Sequence, residues 1–395
     1  MRFRVPVRWA VMGVFVLSAA LNYLDRQVLA ALAPLLRDEF SLTNAQYGQV
    51  LAAFSITYAV CAPLAGLLID RFGLNRGICV GVGLWSLAGV ATGAANSIGG
   101  LFACRAALGV GESAGVPATG KALHLYLPAR ERALGNALSQ IGLSAGAIVA
   151  PPLATWVALR HGWRSAFVVT GVLGFIWIPL WLWASRKTAA ISEPSNAPVS
   201  PTGMLRDRRM LGFIVATFLS MTVYTLWTNW TTLYIKETYG TTLTKANWLA
   251  PLPYLFAYAG GMFGGWLSLR WIDAGMEALA ARRRACLVSA VALLGTAAVP
   301  LMPTAVWAAF GIAFSFFAIS AWSVNLYTMP LDAFGMERAA FGMAVLTSAY
   351  GAMQTVISPL LGATIDRYGY PPVLVAVSLL PLAAWSILQG TRRRA

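Results

Sequence analysis

The chain has 395 residues, of which 58% are hydrophobic and 11% charged, and its formal net charge is +15. A soluble globular chain averages about 25% charged residues, so this composition excludes an ordinary soluble enzyme. Four scattered cysteines, none in a CxxC pair, and only two histidines, His124 and His161, argue against a His/Cys metal centre. The absence of a Walker motif removes support for ATP-driven work.

Membrane crossing takes about 20 mostly apolar residues per helix. Runs of that length predict spans near 9–36, 46–69, 77–95, 100–120, 133–158, 165–185, 210–235, 246–268, 285–302, 304–330, 338–361 and 372–389. The expected fold is therefore an all-α membrane protein of twelve transmembrane helices. The first run has Arg2, Arg4 and Arg8 ahead of it and Ser18-Ala19-Ala20 within it, like a cleaved leader. Removing it would leave eleven spans and spoil the symmetry below, so it reads as a span. With the N-terminus inside, 21 of the 29 Lys and Arg fall in cytoplasmic segments and 6 in outer loops; Arg26 and Arg105 lie within spans. This is the positive-inside bias, with both termini cytoplasmic. The positive charge is thus a topology signal and an attraction to anionic lipid, not a nucleic-acid surface.

Residues 186–209 are polar, with Pro194, Pro198 and Pro201, and read as a cytoplasmic linker. They divide the chain into six-helix bundles at 1–185 and 210–395. The halves echo each other. Pro152-Leu153 and Gly162-Trp163 recur as Pro359-Leu360 and Gly369-Tyr370, both offset by 207 residues. Gly66 and Arg71 recur as Gly265 and Arg270, offset by 199.

After span two the chain reads Gly66-Leu-Leu-Ile-Asp70-Arg71-Phe-Gly73-Leu-Asn-Arg76. This resembles the GxxxDRxGxR/K loop of the major facilitator superfamily, whose architecture is a parallel repeat of six helices with a site near the bilayer midplane. The resemblance implies that Asp70 engages a neighbouring helix terminus and a basic partner as a cytoplasmic gate latch. In the second copy Leu269 stands where the Asp would be. Further segments are Asn22-Tyr23-Leu24-Asp25-Arg26, Arg105-Ala-Ala-Leu-Gly109-Val-Gly111-Glu112, Pro128-Ala-Arg130-Glu131-Arg132, Ala150-Pro151-Pro152 and Gly162-Trp163-Arg164-Ser-Ala-Phe167. In the second half stand Trp227-Thr-Asn229-Trp230, Gly264-Gly265-Trp266 and Ala321-Trp322-Ser323-Val-Asn325. Together these resemble the anion:cation symporter family, and most closely its hexuronate and sugar-acid branch. The resemblance implies proton-coupled uptake of organic anions through one central cavity in a bacterial inner membrane, by a chain that works as a monomer without a cofactor.

Four ionisable residues fall inside spans: Asp25, Arg26, Arg105 and Glu112. Charges at membrane depth cost several kcal/mol, about 2.5–3.5 on insertion scales, unless paired or hydrated. These four sum to zero. Arg105 and Glu112 share a face but lie two turns apart, roughly 10 Å, so cross-helix pairing is expected: Asp25 near Arg105, or Glu112 near Arg26. Burial disfavours an ionised carboxyl and a nearby Arg favours it, so Asp25 and Glu112 are the candidate proton carriers. Arginine keeps its proton and grips carboxylates through paired hydrogen bonds, which makes Arg26 and Arg105 the candidate substrate anchors.

A polyhydroxyl anion needs side-chain donors and acceptors beside aromatic faces. Tyr23 and Tyr58 are the first candidates, followed by Trp322, Ser323 and Asn325, then Gln140, Asn229 and Gln354, with Tyr224, Trp230 and Tyr254 also on cavity-prone helices. Asp332, after Pro330, reads as a surface cap or ion pair. The function expected is a proton-coupled importer of a sugar acid. Another small carboxylate is the alternative, and two intramembrane arginines disfavour efflux of lipophilic cations.

Overall fold

The computed structural model describes residues 7–186 and 203–390. Arg2, Arg4, linker residues 187–202 and Arg392 to Arg394 lie outside the described residues. Within hydrocarbon every backbone N–H and C=O must be satisfied inside its own segment, and the described residues accordingly form helices, with no strand among them. They cluster into two compact units, one of 7–42 and 49–186, the other of 43–48 and 203–390.

The first unit is built from α1 (Val7–Ala31), α2 (Ala33–Phe40), α3 (Asn44–Phe72), α4 (Leu74–Gly93), α5 (Ile98–Glu112), α6 (Gly115–Tyr126), α7 (Ala129–His161) and α8 (Trp163–Ser185). Its core joins Val11, Met12 and Phe15 of α1 to Val82, Trp85, Leu108, Trp177 and Trp181. Trp177 and Trp181 stack at 5.6 Å, and the Trp177 indole donates to the Val14 carbonyl at 2.7 Å.

The second unit comprises α9 (Arg208–Tyr239), α10 (Leu243–Leu249), α11 (Leu252–Asp273), α12 (Ala278–Leu293) continued as a 3-10 turn to Leu301, α13 (Ala305–Phe334), α14 (Met336–Tyr368) and α15 (Tyr370–Gly390). The first turn of α3 counts with this unit. There the Asp366 carboxylate accepts from Asn44 N, Asn44 Nδ2 and Ala45 N at 2.9, 2.8 and 2.8 Å, capping a helix from outside it.

The 207-residue offset recurs in the fold. α7 and α14 each have 33 residues, and each ends at a glycine with positive φ, Gly162 at 81° and Gly369 at 74°. That backbone conformation is open to glycine and strained for other residues, which explains why this echo survives in the letters.

Ten helices among the described residues are long and apolar enough to cross a membrane. Two of the expected spans are not among the ten. The fourth is divided into α5 and α6, of 15 and 12 residues. The interruption is the turn at Ser113-Ala114, and Pro117 in the first turn of α6 has no N–H to return to the Ser113 carbonyl. The eighth, α11, has 22 residues, but its tyrosines and glycines dilute its apolarity.

Candidate functional site

The break in the fourth span leaves Glu112 as the last residue of α5. Gly109, one turn earlier, lets α5 press against α3. A Cβ there would lie 2.2 Å from Thr57 Oγ1 and 2.4 Å from the Phe54 carbonyl oxygen. Thr57 Oγ1 also donates to the Ala106 carbonyl at 2.9 Å, bolting the two helices together. On α1, Asn22 and Arg26 are four apart and share a face.

These elements converge on one ion pair. Arg26 donates to Glu112 Oε2 from Nε at 3.0 Å and from Nη2 at 2.6 Å, and Nη2 also reaches Asn22 Oδ1 at 3.5 Å. The Glu112 side chain is fully buried, whereas Arg26 is 24% exposed. Three aromatic rings surround the guanidinium: Phe54 at 4.7 Å, Tyr23 at 5.0 Å and Tyr58 at 5.3 Å from its carbon to each ring centre. Such contacts contribute roughly 0.5–2 kcal/mol each, more where water is excluded.

Asp25 is 3% exposed, and neither of its carboxylate oxygens has a hydrogen-bond partner among the described residues. Its polar neighbours are Thr170 and the charges of Glu112 and Arg105. Arg105 is equally buried and lies over the Phe167 ring at 5.9 Å. The cluster therefore holds two carboxylates and two guanidiniums with no formal net charge. An unbonded buried carboxylate is costly, and protonation is the chemical change that relieves it.

Of the two cross-helix pairings open on the sequence, the hydrogen-bonded one is Glu112 with Arg26. Tyr23 and Tyr58 flank it as described, and Gln140 is exposed on α7. In the second unit Tyr224, Tyr254 and Tyr350 gather around Phe316 and Gln354. Tyr224 and Tyr254 lie 5.2 and 5.3 Å from Phe316, and Gln354 Nε2 donates to the Tyr350 hydroxyl at 2.9 Å. Asn229 Nδ2 donates back to the Thr225 carbonyl at 2.9 Å. Ser323 is half-buried on α13.

Trp230, Trp322 and Asn325 are fully buried. Asn325 Nδ2 donates to the Gly264 and Ala321 carbonyls at 2.9 Å each, riveting α11 to α13. Asn325 Oδ1 and Trp322 Nε1 stay buried without a hydrogen-bond partner among the described residues. Asp332 pairs with Arg282, and both side chains are largely buried.

The segment from Gly66 to Arg76 spans the α3–α4 turn. Asp70 takes Lys121 as its basic partner at 2.6 Å while its side chain stays 68% exposed. Arg71 lies over the Phe72 ring, Arg76 is exposed, and Gly73 has φ 86°. A Cβ on Gly66 would meet Pro117 at an ordinary 3.7 Å. Phe54 and Thr170 belong to this cluster without any mark in the sequence. An apolar Phe inside an apolar span carries no signal of its own, and Thr170 looks like any helix-bonded hydroxyl.

The sequence profile of the Major Facilitator Superfamily matches residues 15–353. The chain is 30% identical to the hexuronate transporter of Escherichia coli (strain K12), across 97% of this chain and 94% of that one. It is 32% identical to the galacturonate transporter of Dickeya chrysanthemi, across 67% of this chain and 82% of that one. The fold is similar to the crystal structure of a bacterial homologue of the human lysosomal transporter Spinster. Its TM-score is 0.82 at 19% identity, covering 99% of this chain and 98% of that chain.

Proposed function

The chain belongs to the Major Facilitator Superfamily, and from that premise we propose that it imports a small sugar acid, such as a hexuronate or aldonate, together with protons. It is a membrane transporter and not an enzyme. The relatives that transport hexuronate and galacturonate support the substrate class. The positive-inside bias supports cytoplasmic termini in a bacterial inner membrane. Twelve crossings follow if α5 with α6 makes one and α11 another. The two bundles, joined at 186–209, work by alternating access, with the gate motif from Gly66 through Arg76 as a latch; one chain makes one pathway.

The observation that carries this reading is the Arg26–Glu112 pair beside an unbonded Asp25. A proton on Glu112 removes the charge that holds Arg26. A substrate carboxylate then takes the same guanidinium donors. One proton entering with one monoanion leaves the site's formal charge at zero, so each favours binding of the other. Asp25 supplies a second protonation site, Arg105 a second fixed cation, and Tyr23, Tyr58, Gln140, Asn229, Ser323 and Gln354 hydroxyl-reading groups.

The test is uptake into proteoliposomes across hexuronates, aldonates, aldarates and simple monocarboxylates, with and without an imposed pH gradient. Accumulation of a sugar acid that needs the gradient is the expected result. Accumulation of monocarboxylates alone overturns the substrate class, and uptake indifferent to the gradient overturns the coupling.

A further inference from the structure

Phe54 makes the closest of the three ring contacts to the Arg26 guanidinium, at 4.7 Å, and is itself 8% exposed, so it is not offered to a solute. Its ring stacks on Tyr58 at 5.7 Å with 29° between planes. Its backbone is held where α3 meets α5, with the Phe54 carbonyl under Gly109 and Thr57 bonded to Ala106. Glu112 lies three residues beyond Gly109 on the same helix. The ring that faces Arg26 and the carboxylate that binds it are therefore fixed to one rigid junction.

The Arg26 guanidinium carbon lies over the Phe54 ring, and contact with a ring face leaves the in-plane N–H donors of a guanidinium free for carboxylates. Glu112 is tethered and fully buried, and it takes both Arg26 donors on one oxygen, a geometry that tolerates some rotation of the guanidinium. A diffusible carboxylate has no tether and depends on the plane being set beforehand, since ordering that side chain on binding opposes association. We propose that Phe54 is a positioning residue that sets the plane of Arg26 for an incoming carboxylate, and so biases the guanidinium between Glu112 and substrate. The inference rests on the sugar-acid reading of this same site.

The experiment is uptake of radiolabelled D-galacturonate by proteoliposomes bearing wild type, Phe54→Leu, Phe54→Tyr, Arg26→Lys, and Phe54→Leu with Arg26→Lys. Phe54→Leu removes the ring and is expected to raise KM about threefold to thirtyfold, the range of a desolvated cation–π contact, with maximal rate changed far less. Phe54→Tyr restores the face and the KM. In the Arg26→Lys background, which lacks a plane to set, Phe54→Leu adds less than about twofold. Equal proportional losses in both backgrounds, or a fall in maximal rate without a KM change, overturn the proposal. The same cycle is run on ligand-free protein by thermal unfolding, where the two substitutions are expected to be non-additive. Additive unfolding shifts refute the coupling between ring and guanidinium itself, whatever the substrate. Wild-type liposomes that move no sugar acid defeat the substrate reading instead, so the two failures are told apart.

Discussion

Arg26 directs two donors at a single oxygen of Glu112, Oε2, while the other oxygen, Oε1, stays buried and unbonded among the described residues. The Asn22 side chain is the other polar group beside this carboxylate. Glu112→Gln keeps an oxygen for Arg26 and removes the titrating group. It is expected to abolish accumulation driven by a pH gradient while leaving substrate exchange at equal pH measurable. Arg26→Gln strands Glu112 without its partner, and losing one member of a buried pair costs about 3–5 kcal/mol. A lowered unfolding midpoint in detergent checks that; a midpoint equal to wild type refutes it.

Asp25 differs because its carboxylate lacks an ion-pair bond among the described residues, with Thr170 as its neighbouring hydroxyl. Asp25→Asn fills the same volume and removes a buried charge, but it also takes a carboxylate from beside buried Arg105, so its unfolding midpoint should fall less than that of Arg26→Gln. Gradient-driven uptake should fall at least tenfold. Full coupled uptake in this variant would eliminate Asp25 as a proton carrier.

Gly109 is where α5 reaches α3. A Cβ within 2.4 Å of the Phe54 carbonyl cannot be accommodated without separating the helices. Gly109→Ala is expected to destabilise by about 1–3 kcal/mol, as overpacking does, and to raise KM for substrate. Gly120 on α6 has nothing within 4 Å of its Cβ position. Gly120→Ala should be neutral or stabilising by about 0.5–1 kcal/mol, the ordinary helix preference for Ala over Gly. Paired unfolding scans compare the two.

Asp366 caps the start of α3 through three donors. Asp366→Ala removes the cap at a cost of about 1 kcal/mol. Asp366→Asn keeps an acceptor and should lose less. Hydrogen exchange at Asn44 and Ala45 reports the cap directly: faster exchange in the Ala variant is expected, and unchanged exchange contradicts the assignment.

Much of this was legible in the letters because membranes penalise exceptions. Arg26, Arg105, Asp25 and Glu112 stand out in apolar runs, and the α7 and α14 repeat shows through Pro152, Pro359, Gly162 and Gly369. Polar residues at helix contacts were harder. Asn325 looks the same in sequence whether it faces a cavity or, as here, donates to the Gly264 and Ala321 carbonyls. Phe54 gave no signal because its role lies in the distance to Arg26, which periodicity does not encode. The broken fourth span was not readable from Pro117 alone, because Pro63, Pro179 and Pro359 sit inside helices that run on unbroken.

That break carries an orientational consequence. A carbonyl deprived of its helical donor tolerates no hydrocarbon beside it, so the Ser113 turn has to lie against protein or water. Glu112 and Ser113 are each 1% exposed, in keeping with this. The turn between α5 and α6 thus keeps Glu112 and Ser113 together against protein, and the carboxylate comes with the carbonyl that has to be sheltered.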